Sequence, residues 1–309
     1  MVKESKARKH RWSNHRSLIP VVILTLIMMY VYFFVSQILL GLGIAFPFVA
    51  IAYKDLLNNM EKVTDIATLF AVFGGFIVLF FYYFWYRPEY KWKMRKSPLS
   101  WKMTAPILIY WFLLFGVMYT MAAGHLTCGI PSFSLAIPMI AAGICEEVAF
   151  REVGISFMRR QLKGEKMILP TIVIASAAFG ATHLMNCLKS GNFLLAAGQS
   201  ALAMTLGIFF GAVFIRTGDI WPCIAAHGMH DLLIAVFSVN MGSAQFPGSV
   251  TVVAVVCEVL LMVWGLYLIR KEKRAEIEEL WAQKWQIDES AKAENSQLHD
   301  IQSVIRRNI

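Results

Sequence analysis

Long runs of hydrophobic residues alternate with short polar segments along most of the chain. As an α-helix, each run is long enough to cross a hydrocarbon core of about 30 Å. The runs lie near residues 18–43, 64–86, 104–123, 135–158, 168–188, 193–215, 219–238 and 249–269. This pattern predicts an all-α fold, a polytopic bundle of about eight transmembrane helices.

The polar segments divide the chain into three predicted parts. A basic arm covers residues 1–17, the membrane domain covers 18–269, and its core at about 104–238 contains the polar motifs described below. A tail follows at 270–309, and its first residues place charges on one helical face and apolar side chains on the other. We predict a cytoplasmic amphipathic helix that lies on the membrane, or else a solvated helix that contacts no lipid.

The basic residues indicate the topology, because Lys and Arg concentrate in cytoplasmic loops. With eight spans and both termini cytoplasmic, 25 of the 29 Lys and Arg residues lie on the cytoplasmic side. The net charge of +9 then follows from topology, with some attraction to anionic lipid and no nucleic-acid-binding face. The polar arm does not resemble a cleaved signal, so we expect it to be retained, and a bacterial plasma membrane is the expected location.

Composition supports this interpretation. The chain is 58% hydrophobic and 16% charged, whereas soluble domains average roughly 45–50% apolar and about 25% charged residues. A disordered chain and a disulfide-stapled secreted domain are therefore excluded. The five cysteines show no metal-finger spacing.

Ionisable residues nevertheless interrupt three of the spans. Such residues are costly inside a membrane and are candidates for function. The fourth span contains CEEVAFREVG, the fifth contains AFGATHL and the seventh contains AAHGMHDLL. These segments supply the candidate catalytic residues Glu146, Glu147, Arg151, His183, His227 and Asp231.

Helical spacing predicts how these side chains meet. Glu147 and Arg151 are four residues apart and can form an ion pair, while Glu146 points about 100° away on the same helix. His227 and Asp231 also share a face. Counted from the cytoplasmic ends of their spans, Glu147, His183 and His227 lie at depths of roughly 18, 22 and 12 Å, so one cavity can hold all three segments.

The residue types suit hydrolysis. A buried carboxylate can take a proton from water, and an imidazole can donate to a developing oxyanion. Glu146, His183 and His227 are also possible zinc ligands. Spacing leaves both chemistries open, although the HExxH helix of common zinc proteases is absent.

The three motifs EEVAFR, FGATH and HGMHD resemble the EExxxR, FxxxH and HxxxN/D signature of the CPBP family of intramembrane proteases. That family includes the type II CAAX prenyl endopeptidase and Abi-type proteins linked to bacteriocin immunity. The motifs span roughly residues 135–235. The resemblance implies an endopeptidase, glutamic or metal-dependent, that cleaves a membrane-embedded, lipidated or prenylated peptide or protein.

The resemblance also implies roles for single residues. Glu146 is similar to the family glutamate that activates the attacking water, although Glu147 can exchange roles with it. His183 is similar to the partner that positions this water. The other motif positions complete the site, with Arg151 in the first motif and with His227 and Asp231 holding the water or the oxyanion. An ionised Asp only accepts hydrogen bonds, unlike the common Asn.

Other hypotheses remain open from the sequence. A non-catalytic protein that sequesters a bacteriocin or membrane partner needs the same fold, and a proton-coupled transporter also uses intramembrane carboxylates, although no repeats are evident. The polar set can also be a buried network that merely orients helices. We interpret His230 as a satisfied buried histidine, and Glu258 as either facing the cavity or packed and protonated.

Overall fold

The computed structural model describes residues 18–51, 97–121, 133–238 and 248–283. Within these ranges the chain is helical and contains no strand. The helices are α1 Leu18–Ile51, α2 Pro98–Thr104, α3 Pro106–Met121, α4 Phe133–Glu147, a π-helical segment Val148–Ile155, α5 Ser156–Gln161, α6 Ile168–Thr182, α7 Cys187–Ser190, α8 Phe193–Thr217, α9 Trp221–Ser238, α10 Gly248–Leu268 and α11 271–283. Short 3-10 turns at Glu165–Met167 and His183–Asn186 flank α6.

Within the described ranges, five helical stretches are long and apolar enough to cross a membrane, so the chain is an integral membrane protein. They are Leu18–Ile38, Pro98–Val117, Glu165–Asn186, Phe193–Thr217 and Thr251–Leu268. The two remaining predicted spans in the described ranges correspond to α4 with its continuation and to α9, which contain the charged motif residues. The predicted span 64–86 and the arm 1–17 lie outside the described residues.

Helix α8 lies at the centre of the bundle. Its Phe209, Phe210 and Phe214 side chains are fully buried. Helix α6 packs on one side of α8 and α10 packs on another, while α4 packs against α9 and α1 packs against the π-helical segment. This arrangement brings the three motif-bearing segments together around one face of α8.

Glycines allow two of these helix pairs to approach closely, as small residues do in membrane bundles. A Cβ atom added to Gly143 of α4 would lie 2.6 Å from the backbone nitrogen of Gly228 in α9. One added to Gly180 of α6 would lie 2.7 Å from the carbonyl oxygen of Ser200 in α8. Gly143 precedes Glu147 by one turn, and Gly228 follows His227, so the first approach directly affects the motif residues.

Helix α11 packs on the protein through its apolar face. Ile277 and Trp281 are buried, and the Trp281 indole Nε1 donates to the carbonyl oxygen of Ile215 at 2.8 Å. The Trp281 ring also contacts Phe214 edge to face. Neither expected arrangement, a helix lying on the membrane or a solvated helix, holds for these two side chains, because they are buried in the protein and the end of α8 contacts Trp281. Trp285 and the rest of the tail lie outside the described residues.

The polar face of α11 binds the turn that follows the first motif. Glu278 forms an ion pair with the buried Arg159, and its Oε1 accepts a hydrogen bond from the backbone nitrogen of Gly164 at 2.8 Å. Arg159 also donates to the carbonyl oxygen of Leu162 at 3.0 Å. Gly164 has a φ of 103°, which a residue with a Cβ rarely adopts. These contacts link α11 to the end of the α4–α5 unit.

Candidate active site

The first motif lies where α4 changes into the π-helical segment. Glu146 and Glu147 end α4, Arg151 lies within the π-helical residues, and every residue from Val148 to Ile155 is buried. π-Helical turns are rare and occur often at functional sites. The local change of helix type therefore falls within the motif itself.

Glu147 is the centre of the contacts among the motif residues. Its side chain is completely buried, and its Oε1 lies 3.1 Å from Nη1 of Arg151 and 2.7 Å from Nδ1 of His227. The predicted Glu147–Arg151 pair is present. Because a carboxylate paired with a guanidinium only accepts hydrogen bonds, the proton of this short contact belongs to Nδ1 of His227. Glu147 thus sets the orientation of the imidazole.

The other imidazole nitrogen faces two more carboxylates. His227 Nε2 lies 3.6 Å from Oε2 of Glu146 and 3.6 Å from Oδ2 of Asp231. These separations exceed ordinary hydrogen-bond lengths, and a water placed beside the gap can contact all three groups. The side chains of Glu146 and Asp231 are 15% and 25% exposed, whereas that of Glu147 is 0% exposed. Of the two glutamates, only Glu146 is therefore accessible.

Aromatic rings hold the buried cation in place. The Arg151 guanidinium lies over the ring of Phe179 at 4.5 Å from its centroid and near that of Phe210 at 5.9 Å. Cation–π contacts of this kind stabilise a charge that water does not reach. A Cβ atom at Gly207 of α8 would lie 3.3 Å from Nη2 of Arg151, so the missing side chain makes room for the guanidinium.

Phe179 also connects the second motif to the third. Its ring meets the His183 ring at 5.1 Å and the His227 ring at 5.6 Å, both edge to face. His183 Nδ1 lies 3.3 Å from Oγ1 of Thr182 and 3.4 Å from the carbonyl oxygen of Phe179. Among the described contacts His183 has no hydrogen bond to Glu146 or His227. It adjoins the other motif residues through the Phe179 ring.

The three possible zinc ligands predicted from the sequence are not arranged as a metal site. No three His, Cys, Asp or Glu side chains in the described residues form a metal-binding group. Nδ1 of His227 is bound to Glu147, and Nδ1 of His183 faces the end of its own helix. Glu146, His183 and His227 therefore do not fit a shared metal in this conformation.

Several residues at the site were missed by the sequence reasoning. Gly143 allows the close approach of α4 to α9, Gly207 leaves room for the Arg151 guanidinium, and Phe210 stacks on the His227 ring at 5.8 Å. Of these, only Gly143 had a sequence signal, because it lies one turn before Glu147. The Phe179 ring packs against Arg151, His183 and His227, which the sequence did not indicate.

Comparison with known proteins supports the family resemblance. Residues 128–233 match the family described as Type II CAAX prenyl endopeptidase Rce1-like. This segment is about a third of the chain and contains all three motifs. The CAAX protease resemblance predicted from the motifs is confirmed over this segment. No curated protein and no solved structure matches the chain significantly.

Proposed function

We propose that this integral membrane protein, whose residues 128–233 match the CAAX prenyl endopeptidase family, is an intramembrane endopeptidase. The family implies a protease that acts on prenylated peptides in membranes. For this chain the proposed reaction is hydrolysis of a peptide bond in a membrane-embedded, lipidated or prenylated peptide or protein. One observation carries the mechanism, namely that His227 Nε2 faces two accessible carboxylates at 3.6 Å each.

In the proposed mechanism, a water binds between Glu146, Asp231 and His227 Nε2. Glu146 takes a proton from this water as its oxygen attacks the carbonyl carbon of the substrate. When the tetrahedral intermediate collapses, Glu146 gives that proton to the leaving amine, which leaves a carboxylic acid and an amine as products. Asp231 accepts a hydrogen bond from the water and fixes its position.

The remaining motif residues orient this group. Glu147, held by Arg151, accepts the Nδ1 proton of His227. In this proposal the imidazole is doubly protonated, so Nε2–H donates to the water or to the oxyanion. His227 lies within reach of Glu146, whereas His183 contacts the site through Phe179. We therefore assign the water-positioning role to His227. We place His183 in the wall of the cavity, where its ring contacts bound substrate.

The proposed topology follows the charge distribution. Eight spans within residues 18–269 leave the arm 1–17 and the tail 270–309 in the cytoplasm. Anionic lipid attracts the basic loops, and a bacterial plasma membrane is the proposed location. A site buried among spans suits a substrate that arrives by diffusion within the lipid.

The test is cleavage of a fluorogenic prenylated peptide by the protein purified in detergent. Glu146→Gln keeps the shape of the side chain but cannot take a proton, so we expect a loss of about 10²- to 10⁴-fold in kcat with an unchanged thermal unfolding temperature. Glu272→Gln, an exposed change on α11, is the matched control. A Glu146→Gln variant that cleaves at the wild-type rate would overturn the proposal.

Metal content is measured on the same samples. Cleavage that survives a chelator, in protein without bound zinc, supports water activation by Glu146 alone. Zinc near one equivalent with chelator-sensitive cleavage would replace this mechanism by a metal-dependent one that needs another conformation of His183 and His227. Wild-type protein that binds peptide precursors without cleaving any would favour sequestration instead.

A further inference from the structure

Another buried carboxylate lies among the spans, away from the motif residues. Glu258 of α10 lies within the apolar stretch Thr251–Leu268 and is only 5% exposed. Tyr110 of α3 donates its hydroxyl proton to Oε1 of Glu258 at 2.9 Å. Thr205 of α8 places Oγ1 at 3.2 Å from Oε2 of Glu258. In the described part of the chain, no Lys, Arg or His forms an ion pair with this carboxyl group.

The hydrogen bonds around Glu258 indicate whether its carboxyl group is protonated. Thr205 has one hydroxyl proton, and it donates that proton to the carbonyl oxygen of Leu202 at 2.7 Å. With that proton directed mainly at Leu202, the longer contact between Thr205 Oγ1 and Glu258 Oε2 becomes a full hydrogen bond when Oε2 is protonated and donates. A neutral carboxylic acid satisfies both contacts at once, and it avoids an isolated buried charge.

The Tyr110 ring connects the carboxyl group of Glu258 to the candidate active site. The Tyr110 ring, itself buried, packs on the ring of His230 at 5.5 Å between centroids. His230 belongs to α9, directly before Asp231 and one turn after His227. Nδ1 of His230 is buried and has no hydrogen-bond partner in the described residues, so the expectation of a satisfied histidine is wrong at this atom. Packing against Tyr110 is therefore a contact that positions this ring.

We infer that Glu258 is a protonated positioning residue of the candidate active site. It fixes the hydroxyl of Tyr110, the Tyr110 ring holds His230, and together they set the turn of α9 that contains His227 and Asp231. The catalytic consequence rests on the proposed function, whereas the protonation and the link to Tyr110 do not.

The first experiment compares two substitutions of Glu258. Glu258→Gln keeps an acceptor for Tyr110 and a donor for Thr205, so kcat and KM are expected to stay within about twofold of wild type. Glu258→Leu removes both hydrogen bonds at similar volume, so kcat is expected to fall about tenfold or more while KM changes little. Val259→Leu on the lipid side of the same helix is the control and is expected to leave kcat and KM unchanged.

Tyr110→Phe tests the link between the two residues. It is expected to lower kcat, and the double variant is expected to be no worse than Glu258→Leu alone, because Glu258→Leu already removes the hydrogen bond between Tyr110 and Glu258. Additive losses would contradict the link. Wild-type kcat in Glu258→Leu would overturn the positioning role, as would a Glu258→Gln variant as impaired as Glu258→Leu.

An infrared measurement decides the protonation without any activity. Near neutral pH, the carbonyl stretching band of a protonated carboxylic acid is expected in wild-type protein and is expected to be lost in Glu258→Gln. Thermal unfolding of the same variants is expected to be unchanged in Glu258→Gln and lowered in Glu258→Leu. A missing band would overturn the inference even if cleavage is confirmed, and a band with these unfolding shifts would support it even if the proposed protease activity fails.

Discussion

Replacing Gly143 by alanine tests whether the contact between α4 and α9 sets the geometry of the site. The added Cβ atom would lie 2.6 Å from the nitrogen and 2.8 Å from the Cα of Gly228, which are backbone atoms that cannot rotate away. Ordinary contact begins at 3.4 Å, so the helices must separate by about 0.8 Å. The hydrogen bond between Glu147 Oε1 and His227 Nδ1 would lengthen from 2.7 Å to about 3.5 Å, beyond the normal range.

A displacement of this size has a large expected effect on the rate. Misplacement of a catalytic group by about 1 Å can cost about 100-fold, which corresponds to about 2.7 kcal/mol in the activation barrier. We expect kcat of Gly143→Ala to fall by about two orders of magnitude. Overpacking of about 1–3 kcal/mol is expected to lower the thermal unfolding temperature at the same time. Single-turnover cleavage of the prenylated peptide and thermal unfolding in detergent measure the two effects.

The opposite side of the same contact provides the control. A Cβ atom at Gly228 would meet Ile140 of α4 no closer than 3.4 Å, which is ordinary contact. Gly228→Ala is therefore expected to keep most of the activity, and so is Gly198→Ala, whose Cβ would meet nothing within 4 Å. If Gly143→Ala has the wild-type kcat, or if Gly228→Ala is equally impaired, the close approach does not set the site and the reasoning is refuted.

Three further changes test individual contacts. Gly207→Ala is expected to displace the Arg151 guanidinium by a few tenths of an ångström. Steady-state kinetics should then show a several-fold lower kcat with an unchanged KM. An unchanged kcat would mean that the added methyl group does not displace Arg151. Trp281→Phe loses the indole hydrogen bond and is expected to cost about 1 kcal/mol of stability in thermal unfolding. Glu278→Gln leaves the buried Arg159 without its anionic partner and is expected to cost about 2 kcal/mol, whereas Glu279→Gln on the same helix should have no effect.

Local spacing predicted the contacts that arise within one helix. The pairs Glu147–Arg151 and His227–Asp231 lie on shared faces because helical geometry alone brings residues four apart together. The apolar runs similarly predicted the spanning helices, because the hydrocarbon core demands a minimum apolar length. Contacts between helices were harder to predict from the sequence. The depths of the three motifs placed them at similar levels in the membrane, but did not indicate that Phe179 lies against both histidines.

Two other features had no distinct sequence signal. The apolar stripe of α11 is the same whether the helix lies on a membrane or packs on α8, and only the tertiary contacts of Ile277 and Trp281 distinguish these arrangements. The π-helical segment depends on an altered backbone hydrogen-bond register, which side-chain periodicity over eight residues does not reveal.

The two adjacent glutamates show why burial, and not spacing, separates their roles. Helical geometry places Glu146 and Glu147 on different faces but does not say which faces the substrate. In the structure, one oxygen of Glu147 binds both Arg151 and His227, and the whole side chain is shielded from solvent. A carboxylate held in this way orients its partners but cannot reach a water that attacks substrate. Glu146 is partly exposed and faces His227 Nε2 across a gap of 3.6 Å, so this geometry favours Glu146 as the base.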